Sequence, residues 1–278
     1  MIRYLRATMR VFMNYRYLLY NLVGRDIKVK YRRSVLGMLW SVLNPLLMML
    51  VMTFVFQNLF VNIMDRGDLP VVSVTGLPPS FPVYLLTGQL IFNFFSDATN
   101  MAMDSVLGNA QLIKKVYIPK YIFPLEKVMF ALVNTLFSML SLVLVLIITQ
   151  SPVTLWALLA PVVLLVLFVF NLGVGLILSS MVVFFRDIKH LYSVFVLALT
   201  YMTPIFYPEA ILAEMSAVRF VIRLNPMYWF VDMFRQVVVY GVAPTPTHWL
   251  TTCGSAAAVL VVGLLIFRKT QDEFILHV

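Results

Sequence analysis

The residues able to do chemistry in this chain are few, and their spacing rules out most kinds of it. The three histidines, His190, His248 and His277, each lie near the edge of an apolar run and far from one another. No two have the spacing of a metal site. No Ser/His/Asp set and no carboxylate pair suggests nucleophilic or acid–base catalysis. A membrane hydrolase or transferase is therefore disfavoured, and no catalytic or metal-binding residue is assigned. A phosphate-cradling GxxxxGK[ST] loop is also missing: none of the 11 glycines precedes a lysine. If ATP drives this protein, another chain binds it. The single cysteine, Cys253, forms no intrachain disulfide and, lying in an apolar run, is expected to be a small buried hydrophobe.

Two further sets of residues remain. Asp97 and Asp104 are the ionisable groups nearest to mid-membrane in an apolar run. Three readings stand: pairing with basic residues at the cytoplasmic rim, a proton or cation site, or a gate contact. The second set is aromatic. Many of the rings form ordinary interfacial belts, but Phe54, Phe56, Phe92, Phe94, Phe95, Phe195, Tyr201, Phe206 and Tyr207 fall inside apolar runs. Aromatic faces give a sugar's C–H surface apolar contact without position-fixing hydrogen bonds, which suits a polymer that must slide.

The elements that must carry these residues follow from composition. The chain is 62% hydrophobic and 12% charged, against about 25% charged in soluble domains, and its mean hydropathy is +0.92. Such a surface needs lipid as its solvent. Six apolar segments are long enough, or nearly so, to cross a bilayer as helices: residues 36–60, 81–103, 123–149, 154–185, 191–207 and 249–267. The fifth is short, with Pro204 and the aromatics after it extending it as broken helix. An even number of crossings puts both termini on one side. That side carries 17 of the 21 Lys and Arg residues, so both termini are expected in the cytoplasm. This placement accounts for the net charge of +9 without nucleic acid. No cleavable signal peptide is expected, because Arg and Lys stud residues 1–33 throughout.

Three segments outside the spans are informative. Residues 1–33 have the periodicity of an amphipathic helix lying on the cytoplasmic interface, with Gly24 expected to break it and a basic stretch containing Arg25, Asp26, Lys28 and Arg32 leading into the first span. The loop at 105–122 holds a short candidate helix, Asn109–Val116, bounded by Pro119 and Pro124. It is either an ordinary connector or a stiff basic lever able to take up force from a cytoplasmic motor. The outer segment, residues 208–246, reads as two short helices. One is Glu209–Leu224. The other is Pro226–Tyr240, with Asn225 as N-cap and Asp232 able to pair with Arg235 on one face. Fifteen helical residues span about 22 Å, short of a hydrocarbon core of about 30 Å, so the second should be re-entrant or lie on the surface.

Five segments in order carry a resemblance: VLGMLWSVLNPLLMMLVMTFVF (35–56), PVYLLTGQLIFNFFSDA (82–98), NAQLIKKVYIPKYIFPL (109–125), VVFFRDIKHLYSVFVLALTYMTPIFYP (182–208) and LNPMYWFVDMFRQVVVYG (224–241). Together they resemble the permeases of type-2 ABC exporters of O-antigen, capsular polysaccharide and teichoic acid. The resemblance implies an all-α membrane protein with six spans, an interface helix and two gate helices before the last span. It implies a homodimer in a bacterial cytoplasmic membrane, two copies of a separate ATPase that binds ATP and Mg²⁺, and an undecaprenyl-linked glycan as cargo. It also implies that Asn109, Gln111, Leu112, Lys114 and Lys115 belong to the coupling helix, and that Arg186 and Asp187 face the ATPase. The first span, opening near Trp40, would line the path with the fifth. A carrier or channel working alone and a scaffold for glycan assembly remain the alternatives.

Overall fold

The computed structural model describes residues 2–32, 34–64, 72–116, 118–209 and 216–277, with side chains described for 15–32, 34–57, 72–116, 118–209 and 216–275. Among the described residues there are helices and turns and no strand.

The first helix, α1 (Ile2–Tyr31), is continuous and does not break at Gly24. One glycine costs a helix about 1 kcal/mol relative to alanine. The turns around it are held by tertiary contact: Leu19 and Leu22 pack against Ile122 and Leu125. Helix α2 (Leu39–Met64) begins three residues later than expected. Residues 36–41 form a turn through Gly37, whose φ of +51° is a left-handed conformation that glycine adopts without steric cost. Helix α3 (Phe81–Gly108) follows, then the short α4 (Ala110–Lys115) and the long α5 (Ile122–Ile148).

The fourth apolar segment starts as a 3₁₀ turn, Leu155–Leu159, and continues as α6 (Ala160–Phe184). Helix α7 (Ile188–Met202) ends before Pro204, and residues 203–207 form bends rather than further helix. On the outer segment are α8 (Ser216–Leu224) and α9 (Pro226–Arg235), the latter running on as a π turn, Gln236–Tyr240. The expected helix from Glu209 is thus described only from Ser216, since residues 210–215 lie outside the described set. Helix α10 (Pro246–Thr270), a 3₁₀ turn and α11 (Phe274–His277) complete the chain.

Four helical stretches among the described residues are long and apolar enough to cross a membrane: 39–57 within α2, α5, residues 155–184 and 246–273. Helix α3 is the central post and packs against α2, α5, α6 and α9. A ladder of rings, Phe92, Phe95, Phe170 and Phe230, ties α3 to α6 and α9 with centroid separations of 5.4–6.1 Å. Helices α6 and α10 approach backbone to backbone. A Cβ on Gly173 would lie 2.6 Å from the Leu260 nitrogen, and one on Gly263 would lie 2.5 Å from the Gly173 carbonyl oxygen. This is the small-residue packing that lets helices associate closely where no hydrophobic drive separates lipid from leucine.

Candidate functional site

At the end of the bundle that carries most of the cations, α4 is fixed by one side. The Asn109 Nδ2 donates to the Ser105 carbonyl at 2.8 Å, which closes the turn between α3 and α4. The Leu112 and Ile113 amides both donate to the Asn109 carbonyl at 3.0 Å. Ile113 is buried in a cluster with Val106, Phe123, Leu176, Val183, Phe267 and Phe274, and Leu112 packs against its edge. Gln111, Lys114 and Lys115 are exposed on the other side. The observed helix is one residue shorter at each end than expected. What results is a six-residue helix with one buried apolar residue and a basic exposed face.

The same cluster gathers the other candidates for the ATPase-facing surface. Phe184, beside the Arg186–Asp187 turn, meets Phe274 edge-on at 6.1 Å, and Phe274 meets Phe267 at 5.3 Å. Arg186 and Asp187 are exposed, and the Asp187 carbonyl accepts the His190 and Leu191 amides in the first turn of α7. Lys120 bonds the Gln271 carbonyl and lies over the Phe274 ring. Burial pulls its ammonium below the ordinary lysine range, while Asp272 acts in the opposite sense. The 109–115 helix, the 186–187 turn and the C-terminal turn therefore share one apolar anchor.

Three ion pairs tie this end further. Lys189 pairs with Asp104, joining α7 to α3, so Asp104 takes the rim-pairing role. Asp26 on α1 pairs with Lys127 and, at 2.9 Å, with Arg25. Burial alone would raise the Asp26 carboxyl, but hydrogen bonds from Lys127 and Arg25, together with the Lys127 charge, hold it below the usual carboxylate range. Arg25, Lys28 and Arg32 line an open basic groove along α1. Asp97 has no ion pair among the described residues and opens instead into a polar cavity with Lys30.

At the other end of the bundle the expected Asp232–Arg235 pair does not form. Arg235 turns inward and is 3% exposed. Its guanidinium lies 3.6 Å over the Tyr84 ring and donates to the Tyr84 hydroxyl at 2.8 Å, the Pro204 carbonyl at 2.7 Å and the Ile205 carbonyl at 3.2 Å. The bends after Pro204 leave carbonyls without helical donors, and a planar five-donor cation satisfies several at once. Gly88 makes the space: a Cβ there would lie 2.5 Å from the guanidinium nitrogen. Asp232 turns instead to His248 at 2.8 Å and Gln236 at 3.1 Å.

Asn225 caps α9 as expected, its Oδ1 accepting the Met227 amide at 2.9 Å, and its Nδ2 donates to Thr203 at 2.8 Å. Glu209 accepts from Arg219 at 2.7 Å, from Arg223 at 3.1 Å and from the Tyr228 hydroxyl. Burial pushes its carboxyl up, but these bonds and the two arginine charges outweigh that and leave it below the ordinary glutamate range.

The aromatic candidates divide. Trp40, Phe54, Phe195 and Tyr201 are exposed on α2 and α7. Phe56 and Phe206 are half-buried and stack at 6.1 Å, and Tyr207 donates to the Tyr201 carbonyl at 2.8 Å. Phe92 does not belong with them. It is 3% exposed in the ring ladder, because its side of α3 faces the core. Cys253 is likewise not buried; it faces outward from α10. Sequence reasoning missed Arg235 as a structural tie and Gln89 as a cavity residue. The only signals were a cation and an amide in apolar surroundings.

Residues 17–239 match the ABC-2 type transporter family. The chain is 30% identical over 266 residues to the O-antigen export system permease protein RfbA of Myxococcus xanthus, covering 95% of this chain and 96% of that one. It is 29% identical over 259 residues to the protein of the same name from Klebsiella pneumoniae, covering 92% and 93%. With its long apolar helices, the chain is a multi-pass membrane protein and belongs to the ABC-2 type transporter family, as a permease.

Proposed function

We propose that this chain is the transmembrane subunit of an ATP-driven exporter that moves a lipid-linked polysaccharide, of the O-antigen, capsule or teichoic-acid type, outward across a bacterial cytoplasmic membrane. The observation that carries the reading is near-full-length similarity to permeases named for O-antigen export. The chain crosses six times, through α2, α3, α5, residues 155–184, α7 with its broken continuation, and α10. Helix α3 has 28 residues, about 42 Å of helix, and buries Thr87, Gln89, Thr99 and Ser105. Both termini, α4 and the 186–187 turn face the cytoplasm. Helices α8 and α9 form the outer gate segment.

Two copies of the chain work with two copies of a separate ATPase, to which ATP and Mg²⁺ belong. The outward apolar faces of α2 (Leu50, Val51, Phe54 and Val55) and α7 (Leu191, Val194, Phe195 and Leu197) have little cover within one chain and are open to lipid or to a second copy. The path runs between the copies, with Trp40, Phe54, Phe56, Phe195, Tyr201, Phe206 and Tyr207 as its aromatic lining. The ATPase engages Gln111, Lys114, Lys115, Arg186 and Asp187. Force on α4 enters the bundle through Ile113, whose cluster includes residues of α3, α5, α6, α10 and α11. Such coupling needs an element whose equilibrium ATP biases, and α4 fits that role.

The test is purification through a tag on this chain, co-expressed with candidate ABC ATPase subunits of the same genome. The ATPase should co-purify, and K114E/K115E should weaken the complex while leaving the permease folded. Clean purification of this chain alone, in mild detergent and in native lipid, would contradict the motor-driven reading.

A further inference from the structure

A cavity of about 560 Å³ lies between the end of α1 and the flanks of α2, α3 and α5. It is within the usual size of small-ligand sites, about 300–1,000 Å³. Its walls are unusual for a bundle of apolar helices. Asn44 and Trp40 come from α2, Gln89, Asn93 and Asp97 from α3, and Lys30 from α1. Polar groups inside a membrane protein are costly and need a reason. Gln89 in particular is 8% exposed, and its Oε1 has no hydrogen-bond partner among the described residues. An orphaned buried carbonyl costs about 1–3 kcal/mol, so this wall carries acceptor capacity that no described protein group uses.

The chemistry of that donor follows from the lining. The three amides each both donate and accept. The carboxylate of Asp97 accepts, and the Trp40 indole offers an apolar face. The two charges, Lys30 and Asp97, cancel. Lys30 is moreover already engaged: its ammonium donates to Asn134 Oδ1 at 3.0 Å and lies over the Tyr31 and Phe130 rings. A phosphate would therefore meet a single cation, already held by Asn134, and would face the Asp97 carboxylate. A neutral polyol fits, with hydroxyls for the amides and Asp97 and a C–H face for the indole. The far wall is pre-organised, because Asn134 Oδ1 also accepts from Tyr31 at 3.0 Å and from Ser41 at 3.1 Å. A fixed wall lowers the ordering cost of binding.

We propose that this cavity is a sugar-binding site that engages a glycan unit of the cargo on the cytoplasmic half of the permease. The assignment of the cargo and of the cytoplasmic side rests on the function proposed above.

The test uses the permease with its ATPase in lipid nanodiscs, titrated with methyl hexosides and methyl N-acetylhexosaminides while tryptophan fluorescence is read. Inorganic pyrophosphate is the contrasting probe. A saturable change is expected with a glycoside, absent in W40F. N93A and Q89L should weaken it about tenfold each, the worth of one lost hydrogen bond of about 1.4 kcal/mol. Asn93 is exposed, so N93A tests the site without disturbing the core. A response to pyrophosphate alone would overturn the sugar assignment in favour of a lipid headgroup. No response to any glycoside by an intact complex would overturn the site while leaving the exporter reading standing, whereas failure to assemble with an ATPase is the separate result that sinks that reading.

Discussion

Arg235 and Gly88 act as one unit. The guanidinium is buried against the Tyr84 ring and the carbonyls after Pro204, and Gly88 leaves the room for it. R235A should lower stability by about 3 kcal/mol, since it strands buried carbonyls that a charged donor now satisfies. R235K should recover little, because an ammonium lacks the fork. G88A should also destabilise, by less in the R235A background than in wild type. Thermal unfolding of the four purified proteins in detergent reads this coupling. Glu209 makes a different forecast. Its folded pKa lies below the ordinary value of 4.5, so the contribution of the clamp is complete above that range and is lost as pH falls through the lowered pKa. Unfolding midpoints measured from pH 7 to pH 3 should fall more steeply in wild type than in E209Q. Equal slopes would remove Glu209 as the cause.

At the scale of elements, the contact of α6 with α10 depends on two glycines. G173A and G263A each put a methyl group against backbone, and overpacking of this kind costs about 1–3 kcal/mol. Both variants should unfold at lower temperature, while G254A, which meets nothing within 4 Å, should not. Helix positions were legible in the sequence where apolar runs and caps agreed. Asn225 before Pro226 marks the start of α9, and Asn109 with Pro119 brackets α4. The sequence misled where tertiary contact overrode local preference. Gly24 does not end α1, because the leucines before it are anchored on α5. Asp232 and Arg235 have the spacing of a pair, but spacing cannot see carbonyls freed thirty residues away by Pro204, nor the imidazole of His248. The cavity was illegible for the same reason. Its residues come from four helices, and nothing in their spacing tells which faces meet.

At the scale of the molecule, most of the positive charge gathers at the end that holds α4, the 186–187 turn and the C-terminal turn, and one apolar cluster joins those three segments. Through Ile113, α4 is therefore packed against the ends of several long helices at once, as the proposed coupling requires. The most direct test is ATP-dependent translocation of lipid-linked glycan into inside-out vesicles that contain this chain and its ATPase. Accumulation should require ATP, persist in wild type, and fall at least tenfold in K114E/K115E, where a lost charge contact of about 1.4 kcal/mol suffices. Accumulation that proceeds equally without ATP, or without the ATPase, would contradict the motor-driven reading and would turn attention to Asp97 as the site of a carrier working alone.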